Sequence, residues 1–466
     1  MTAAKLTPLT AGMFRQLRGI VGKANCSREK EDRLCYAFDA TRQEYLPDAV
    51  AFPSSSAEIA GIFRLATENH FAVVPRGAGS GMSGGSVPVA GGLVLVMSRF
   101  NRIIEIDTQN LIAQVEPGVV TGIFQKAVDE KGLFYPPDPS SSDFSTLGGN
   151  VAECAGGPKA VKYGVTRDYV LGLEVVLPTG EIVQTGTRTA KGVVGYDLSR
   201  LLTGSEGTLG VITRMTLRLL PRPLRVKTLI ALYDQMEKAA ETVSEVIRRG
   251  IIPRTIEFMD KASIRCVENY LQTGFSAEAA ALLIIEVDGS ETSVRESAES
   301  IRSLCMSLGA RQVDIARSPE DAGNLWRARK SISPALYQLA PDKINEDIVV
   351  PRSRIPDMVR KIQSLSERTG LTMVSFGHAG DGNIHFNIML DKKDTIALEK
   401  AKSAVDEIFD YTLELGGTIS GEHGIGIAKA PYLNKEVSSQ MLGLMKRIKQ
   451  AFDPAGILNP GKMQLP

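Results

Sequence analysis

Pro75–Gly85 reads PRGAGSGMSGG, and its flanks give the run its meaning. Before it, the SSSAE segment at residues 54–58 carries a helix-capping pattern, and Ile59, Ile62, Phe63 and Ala66 recur at a helical period. FAVVP (71–75) then predicts a short strand, and LVLVMS (93–98) another. A glycine-rich turn after a strand invites a dinucleotide-binding reading, but that fingerprint must open a helix whose N-terminus faces the pyrophosphate. Here the glycines run on to Gly91-Gly92 and into a strand. The backbone argument survives: consecutive glycines let main-chain N–H groups turn inward as an anion nest, which holds a pyrophosphate without a helix dipole. The competing explanation is a flexible surface loop.

Two further loops resemble the first. After a helical pattern at VTGIFQKAVDEKG (120–132), Ser145-Thr146, Gly148-Gly149-Asn150 and Ala155-Gly156-Gly157 combine glycines with small hydroxyls. Such a loop brings main chain within hydrogen-bond reach of a flat polar ring system. DYVLGLEVVLPTGEIV (168–183) predicts a β-hairpin turning at Pro178-Thr179-Gly180. The third loop, GSEGTLG at 204–210, precedes the strand VITRMTLRLLP. Three such loops between strands of one α+β region are poorly explained as independent surface turns.

Beyond Pro221-Arg222-Pro223, a linker signal, the pattern becomes strand, helix, strand, strand, helix, strand through RQVDIAR (311–317). This predicts a ferredoxin-like domain. Downstream, Ser375–Asn387 reads SFGHAGDGNIHFN. The chain has only four histidines, and this stretch holds His378 and His385; His423 follows in SGEHGIG. Turn residues 379–382 separate two apolar runs, a hairpin signal that puts His385 and Asn387 on one strand face with His378 in cross-strand reach. Two imidazoles across a hairpin, with a Glu-His pair elsewhere, suit one borderline divalent ion with a base beside it; turn histidines at the surface are the plainer alternative.

At 466 residues the chain is too long for one core. A hydrophobic fraction of 43% and a charged fraction of 23% are those of a globular protein. A formal charge of +1 argues against a global field for nucleic acid or anionic membrane. No apolar run suggests a membrane span, and the N-terminus lacks a signal-peptide pattern. Cys26, Cys35, Cys154, Cys266 and Cys305 form no CxxC and no iron–sulfur run, as suits reduced thiols in a cytoplasm.

PRGAGSGMSGG, STLGGNVAECAGGPKAVKYG (145–164) and GSEGTLGVIT (204–213) resemble the FAD-binding domain of the vanillyl-alcohol oxidase / p-cresol methylhydroxylase (PCMH) superfamily. FGHAGDGNIHFNI (376–388), GTISGEHGIG (417–426) and FDPAGILNPGK (452–462) resemble its branch of FAD-linked D-lactate dehydrogenases, glycolate oxidase catalytic subunits and D-2-hydroxyglutarate dehydrogenases. The resemblance implies an α+β protein. Residues 1–221 would form a PCMH-type FAD domain of two α+β subdomains, with a helical segment over 1–45. Residues 222–410 would form the ferredoxin-like cap carrying the histidine hairpin, and 411–466 a mostly helical C-terminal segment returning toward the flavin. It places Pro75, Arg76, Gly77, Gly79, Ser80 and Gly81 at the pyrophosphate, Ser145, Thr146 and Gly149 on the flavin side, and Gly207, Val211 and Ile212 on the adenine side; Gly156 and Asn459 join the cofactor set. Relatives that bond FAD covalently do so through a histidine in the first loop, where this chain has Ser80, so non-covalent FAD is expected.

Oxidising a 2-hydroxy acid needs a base for the hydroxyl proton, an acceptor for the hydride and an anchor for the carboxylate. His423 is the candidate base. His378, His385 and Glu422 are the candidate ligands of one divalent ion, for which zinc, manganese and iron are equally suited. The resemblance puts Arg329 on the carboxylate and Ser333 beside it; Asn387 could hydrogen-bond the substrate. The lysine that the 2-hydroxyglutarate relatives carry is out of register here: Lys343 is nearby and Asn345 nearer the matching place. That favours a small monocarboxylate, D-lactate first and glycolate second. The alternatives are a flavin-binding electron-relay subunit without its own chemistry, which would be expected to lack the histidines, and a metal-binding structural module, which leaves three glycine loops unexplained. Electrons would leave to a separate acceptor: an iron–sulfur subunit, an electron-transfer flavoprotein or a quinone. No nucleic-acid partner and at most peripheral association with the inner face of a membrane are expected, and a homodimer is compatible with the sequence.

Overall fold

The computed structural model describes residues 6–275 and 278–465. The chain folds as two compact units. The first comprises the described residues up to Gly156, Val165–Arg222 and the chain from Glu422 onward; the second comprises Gly157–Gly164 and Pro223–Gly421. Among the described residues no helix is long and apolar enough to cross a membrane.

The first unit contains two α+β layers. In one, Cys26–Ser27, Ala49–Ala51, Leu93–Val96 and Val73–Arg76 lie side by side in that order, the last three parallel. Helix Ser56–Asn69 starts where the sequence predicts: the Ser55 hydroxyl accepts the N–H of Glu58, a cap of about 1 kcal/mol. Its Ile59, Ile62, Phe63, Leu65 and Ala66 are buried with Ala49, Val73, Leu93 and Leu95 in one apolar core. At roughly 1.5–3 kcal/mol per large apolar side chain, this face outweighs the cap. The prediction of a helical segment over 1–45 is corrected. Among the described residues there, only Ala11–Val21 and Lys30–Cys35 are α-helical, and Cys26–Ser27 adds an antiparallel edge strand. Gly22, with φ 86°, ends the first helix because that conformation cannot continue it.

The other layer is an antiparallel sheet in the order Ile103–Asp107, Ile112–Val115, Val211–Arg218, Val170–Val176, Ile182–Gly186. Its last two strands are the predicted hairpin, closed by Gly180 at φ 85°, whose N–H donates to the Leu177 carbonyl at 2.8 Å.

The second unit is built on a seven-stranded antiparallel sheet in the order Ala310–Ile315, Arg225–Tyr233, Ala281–Gly289, Thr255–Asp260, Thr372–His378, Asn383–Leu390, Asp342–Val349. The first four strands, with helices Met236–Arg248 and Glu291–Ser307, form the expected ferredoxin-like order; Lys261–Leu271 is an added helix. A second module, which the sequence pattern did not reveal, completes the sheet. Asp342–Val349, helix Ile355–Thr369, the histidine hairpin and helix Thr395–Glu414 repeat the βαββα order, and Thr372–His378 pairs with Thr255–Asp260 to fuse the two modules into one sheet.

The unit boundaries also differ from those expected from the sequence. Helix Thr395–Glu414 buries Ala401, Ala404, Val405, Ile408 and Phe409, and Thr418 bridges Val349, so the second unit extends to Gly421 rather than 410. Residues 415–429 contain no α-helix, which corrects the mostly helical expectation for that stretch. Gly157–Gly164, inside the second glycine loop, belongs to the second unit: Lys162 pairs with buried Asp288, and the Tyr163 hydroxyl donates to the same carboxylate at 2.7 Å.

Candidate metal centre and cofactor loops

The hairpin forms as the sequence predicts, Thr372–His378 against Asn383–Leu390. Directly paired residues of an antiparallel sheet share a face. Phe376, His385 and Asp347 are one such row, Val374, Asn387 and Asn345 the next, and His378 stands across from Asn383 and Glu257. His378, His385, Asn387, Asn345, Asp347 and Glu257 therefore share one face of the sheet. Its apolar neighbours Met259, Val374, Phe376 and Met389 pack with Ala328 and Ile332, so this is the face covered by the segment that carries Arg329 and Ser333.

His378 and His385 are buried, and their Nε2 atoms are 3.4 Å apart. That is the separation of two nitrogens each ~2.1 Å from a tetrahedrally coordinated ion, about 3.4 Å. Glu257, fully buried, sets the tautomer: the His378 Nδ1–H donates to Glu257 Oε1 at 2.7 Å, leaving the Nε2 lone pair for a ligand bond. Glu257 Oε2 is paired with Arg329 Nη2 at 2.7 Å, and the Arg329 guanidinium lies 4.8 Å from the Phe376 ring centroid. The chain then passes close by: the Gly421 N–H donates to Asp347 Oδ2 at 2.8 Å, and Asp347 is the cross-strand neighbour of His385. Glu422 is the next residue.

Asn387 is fully buried, and neither Oδ1 nor Nδ2 has a hydrogen-bond partner. An unsatisfied buried polar group costs about 1–3 kcal/mol, so a pair of them aimed from the His385 face fits a polar ligand. Arg329 is 7% exposed, with one edge of its fork on Glu257 and Nε unpartnered. The Ser333 hydroxyl accepts from Lys343 Nζ at 2.6 Å. Glu257 was missed from sequence; its only signal was an acid in the middle of the apolar strand TIEFMD.

In the first unit the three glycine loops converge. Pro75 and Arg76 end the strand Val73–Arg76. A Cβ on Gly77 would strike Thr146 Oγ1, which is buried and has no partner, and one on Gly149 would lie 3.4 Å from the same atom. Ser145 Oγ is 3.1 Å from Thr121 Oγ1, which accepts from Asn150 Nδ2 at 2.7 Å. Gly79 (φ 69°) lies against the Arg76 guanidinium, while the Cβ direction of Gly81, beside Ser80, is open. A Cβ on Gly207 would meet Pro75 Cγ at 2.9 Å. Asn459 Nδ2 donates to the carbonyls of Gly85 and Glu206, leaving its buried Oδ1 unpartnered. Val211 and Ile212 open the strand Val211–Arg218, with the Val211 side chain in the apolar core. A Cβ on Gly156 would be 3.0 Å from Glu422 Oε2, and His423 Nε2 is 4.0 Å from Glu422 Oε1.

Close glycine backbones with orphaned Thr146 and Asn459 oxygens fit a large polar ligand cradled by main chain. Buried charges line the same loops. Burial lowers the pKa of Arg76, and it lowers that of Lys462 to about 8. Burial raises Asp39, and burial together with the charge of Glu206 pushes Glu153 well up. Cys154, Glu206 and Asn459 take left-handed backbone at φ 55°, 51° and 44°, a strain of order 1 kcal/mol or more each that concentrates at functional sites.

Residues 47–186 match the family described as FAD binding domain, and residues 222–463 match the FAD linked oxidases, C-terminal domain. The chain is 46% identical to the glycolate oxidase subunit GlcD of Bacillus subtilis (strain 168), over 98% of this chain and 97% of that protein. It is 36% identical to a D-lactate dehydrogenase of Anaerostipes hadrus, over 98% of both. Among solved structures, p-cresol methylhydroxylase superposes with a TM-score of 0.83 at 18% identity, covering 99% of each chain, a likeness of fold.

Proposed function

This chain belongs to the FAD-linked oxidases, and on that premise we propose that it is an FAD-dependent dehydrogenase of a small D-2-hydroxy acid, D-lactate in the first instance. The observation that carries the reading is the paired Nε2 atoms of His378 and His385, with Glu257 behind them and the unsatisfied Asn387 amide on the same face. We take His378, His385 and Glu422 as the two-imidazole, one-carboxylate donor set that would hold a divalent ion. The tether of Gly421 to Asp347, beside His385, supports Glu422 as the third donor. Such an ion supplies Lewis acidity toward a hydroxyl becoming a carbonyl. FAD, bound without a covalent link by the glycine loops around Pro75–Gly81, Ser145–Gly156 and Gly204–Ile212, supplies an acceptor for the hydride.

The remaining work falls to the chain's own groups. His423 takes the hydroxyl proton as general base. Arg329 and Ser333 hold the substrate carboxylate, with the Arg329 fork fixed in place by Glu257. The Asn387 amide orients the substrate's polar oxygens. Electrons leave to a separate acceptor; that the Bacillus subtilis relative is a subunit of glycolate oxidase supports a partner protein for that step.

Anaerobic flavin bleaching by D-lactate, L-lactate, glycolate and D-2-hydroxyglutarate tests this directly. Reduction by D-lactate, abolished when a chelator removes the metal and restored by zinc or manganese, is the expected result; a yellow protein inert to all four acids sinks it. Fastest reduction by glycolate would establish the second reading, which the 46% identity to a glycolate oxidase subunit favours.

A further inference from the structure

In the loop that carries Glu422 and His423, two successive N–H groups converge on one side chain. The Ile425 and Gly426 N–H groups donate to the Glu206 carboxylate at 2.7 and 2.6 Å. Glu206 is fixed from two other directions: its own N–H donates to the Ala152 carbonyl at 2.8 Å, and its carbonyl accepts from Asn459 Nδ2 at 2.8 Å. It is 5% exposed and left-handed, in a loop whose Gly204 and Gly207 also have positive φ. Glycine would take that backbone without strain, so the side chain is what the position retains. The rest of the loop is tied down by main chain. Ile427 and Ala428 N–H groups donate to the Ser83 carbonyl at 2.8 and 3.0 Å, and the Met463 N–H donates to the Gly426 carbonyl at 2.9 Å.

A second acid meets the first. A Cβ on Gly424 would lie 2.5 Å from Glu153 Oε2 and 3.0 Å from Glu206 Oε1, so both carboxyl groups converge on the residue after His423. Two buried carboxyl groups this close do not both ionise. Glu206 accepts two N–H groups and has the buried ammonium groups of Lys429 and Lys462 as electrostatic partners; Glu153 Oε2 is buried without a partner. The negative charge therefore sits on Glu206 and the proton on Glu153.

We infer that Glu206 is a positioning residue: as a carboxylate it clamps the Gly424–Gly426 turn and thereby fixes His423 for proton abstraction, while neutral Glu153 fills the space beside it. The inference rests on the reading of His423 as the base. Glu206→Gln, Glu153→Gln and Gly424→Ala would be examined as FAD-loaded proteins by amide hydrogen exchange of the peptide spanning 421–428 and by anaerobic flavin reduction. Glu206→Gln keeps only one acceptor oxygen. Its loop should exchange roughly ten- to hundredfold faster, the scale of one charge-assisted hydrogen bond. Reduction at saturating substrate should slow by a similar factor, with FAD content and substrate Kd unchanged. Glu153→Gln mimics a protonated acid and should change neither reading by more than about twofold. Gly424→Ala pushes a methyl into both carboxyl groups and should reproduce the Glu206→Gln signature, which keeps the test alive if that variant does not fold. Unchanged exchange in both Glu206→Gln and Gly424→Ala overturns the clamp. Faster exchange with an unaltered reduction rate overturns the positioning role, and equal losses in Glu153→Gln overturn the assignment of the charge. The exchange measurement needs no substrate, so it decides the clamp even if no 2-hydroxy acid bleaches the wild-type flavin.

Discussion

The glycine loops of the first unit and the hairpin face of the second are built from opposite materials. The loops work through main chain: Gly77 and Gly207 allow backbone approaches that a single methyl would block. The hairpin face works through side chains delivered by separate strands, with His378, His385, Asp347 and Glu257 brought into register by sheet pairing. A backbone site fails by steric intrusion and loses its ligand. A side-chain site fails by deletion of one group and loses a specific chemical step. Substitutions on the two sides should therefore separate cofactor loss from metal loss.

The sharpest break is His378→Ala. Metal and activity should disappear together while FAD stays bound, read by metal analysis and flavin absorbance; retention of metal and of the full reduction rate would reduce the hairpin to a turn. His423→Ala should keep both metal and FAD and slow flavin reduction by roughly 10²- to 10⁴-fold, the usual contribution of a positioned base. Loss of metal in that variant would make His423 a ligand instead.

Glu257→Gln asks how much the group behind the ligand matters. It removes the carboxylate that holds the His378 Nδ1–H and leaves Arg329 without its charge partner. Metal affinity should fall roughly 10- to 100-fold by titration calorimetry, with FAD affinity unchanged. On the backbone side, Gly77→Ala forces a methyl against Thr146. Overpacking of this kind costs about 1–3 kcal/mol, so FAD should bind about 5- to 150-fold more weakly while the affinity of the hairpin for an added divalent ion is unchanged. Equal damage to both ligands would erase the contrast between the two regions.

The smallest effect is on stability. Burial, with Glu206 beside it, raises the Glu153 pKa well above the ordinary 4.5, so the folded chain retains a proton that the unfolded chain releases. That contribution is fully present below the unfolded value and is lost as pH rises through the folded one. Wild-type Tm should therefore decline as pH increases above about 5, and Glu153→Gln should flatten the decline by roughly 2–4 °C per kcal/mol removed. A steeper decline in the variant would contradict a protonated Glu153.

The sequence by itself determined the helix Ser56–Asn69, the Pro178–Gly180 hairpin, the first ferredoxin-like module and the histidine hairpin. Each is written in short-range terms: a cap followed by a 3.6-residue period, a turn dipeptide between alternating runs, two imidazoles on either side of a four-residue turn. It also pointed to three glycine loops as one cofactor site, because glycine clusters mark backbone geometry directly. Only the tertiary structure decided the partners. Glu257 lies 121 residues from His378, and Glu206 lies 219 from Ile425. Neither has a local pattern to betray it, because an acid in an apolar strand or a glycine loop gains its role only from what the fold places against it. The second βαββα module and the extension of the second unit to Gly421 were hidden for the same reason. Pairing between strands well apart in the chain, as of Asp342–Val349 with Asn383–Leu390 or of Thr255–Asp260 with Thr372–His378, is selected by burial and register summed over a whole sheet, and no window of sequence contains that sum.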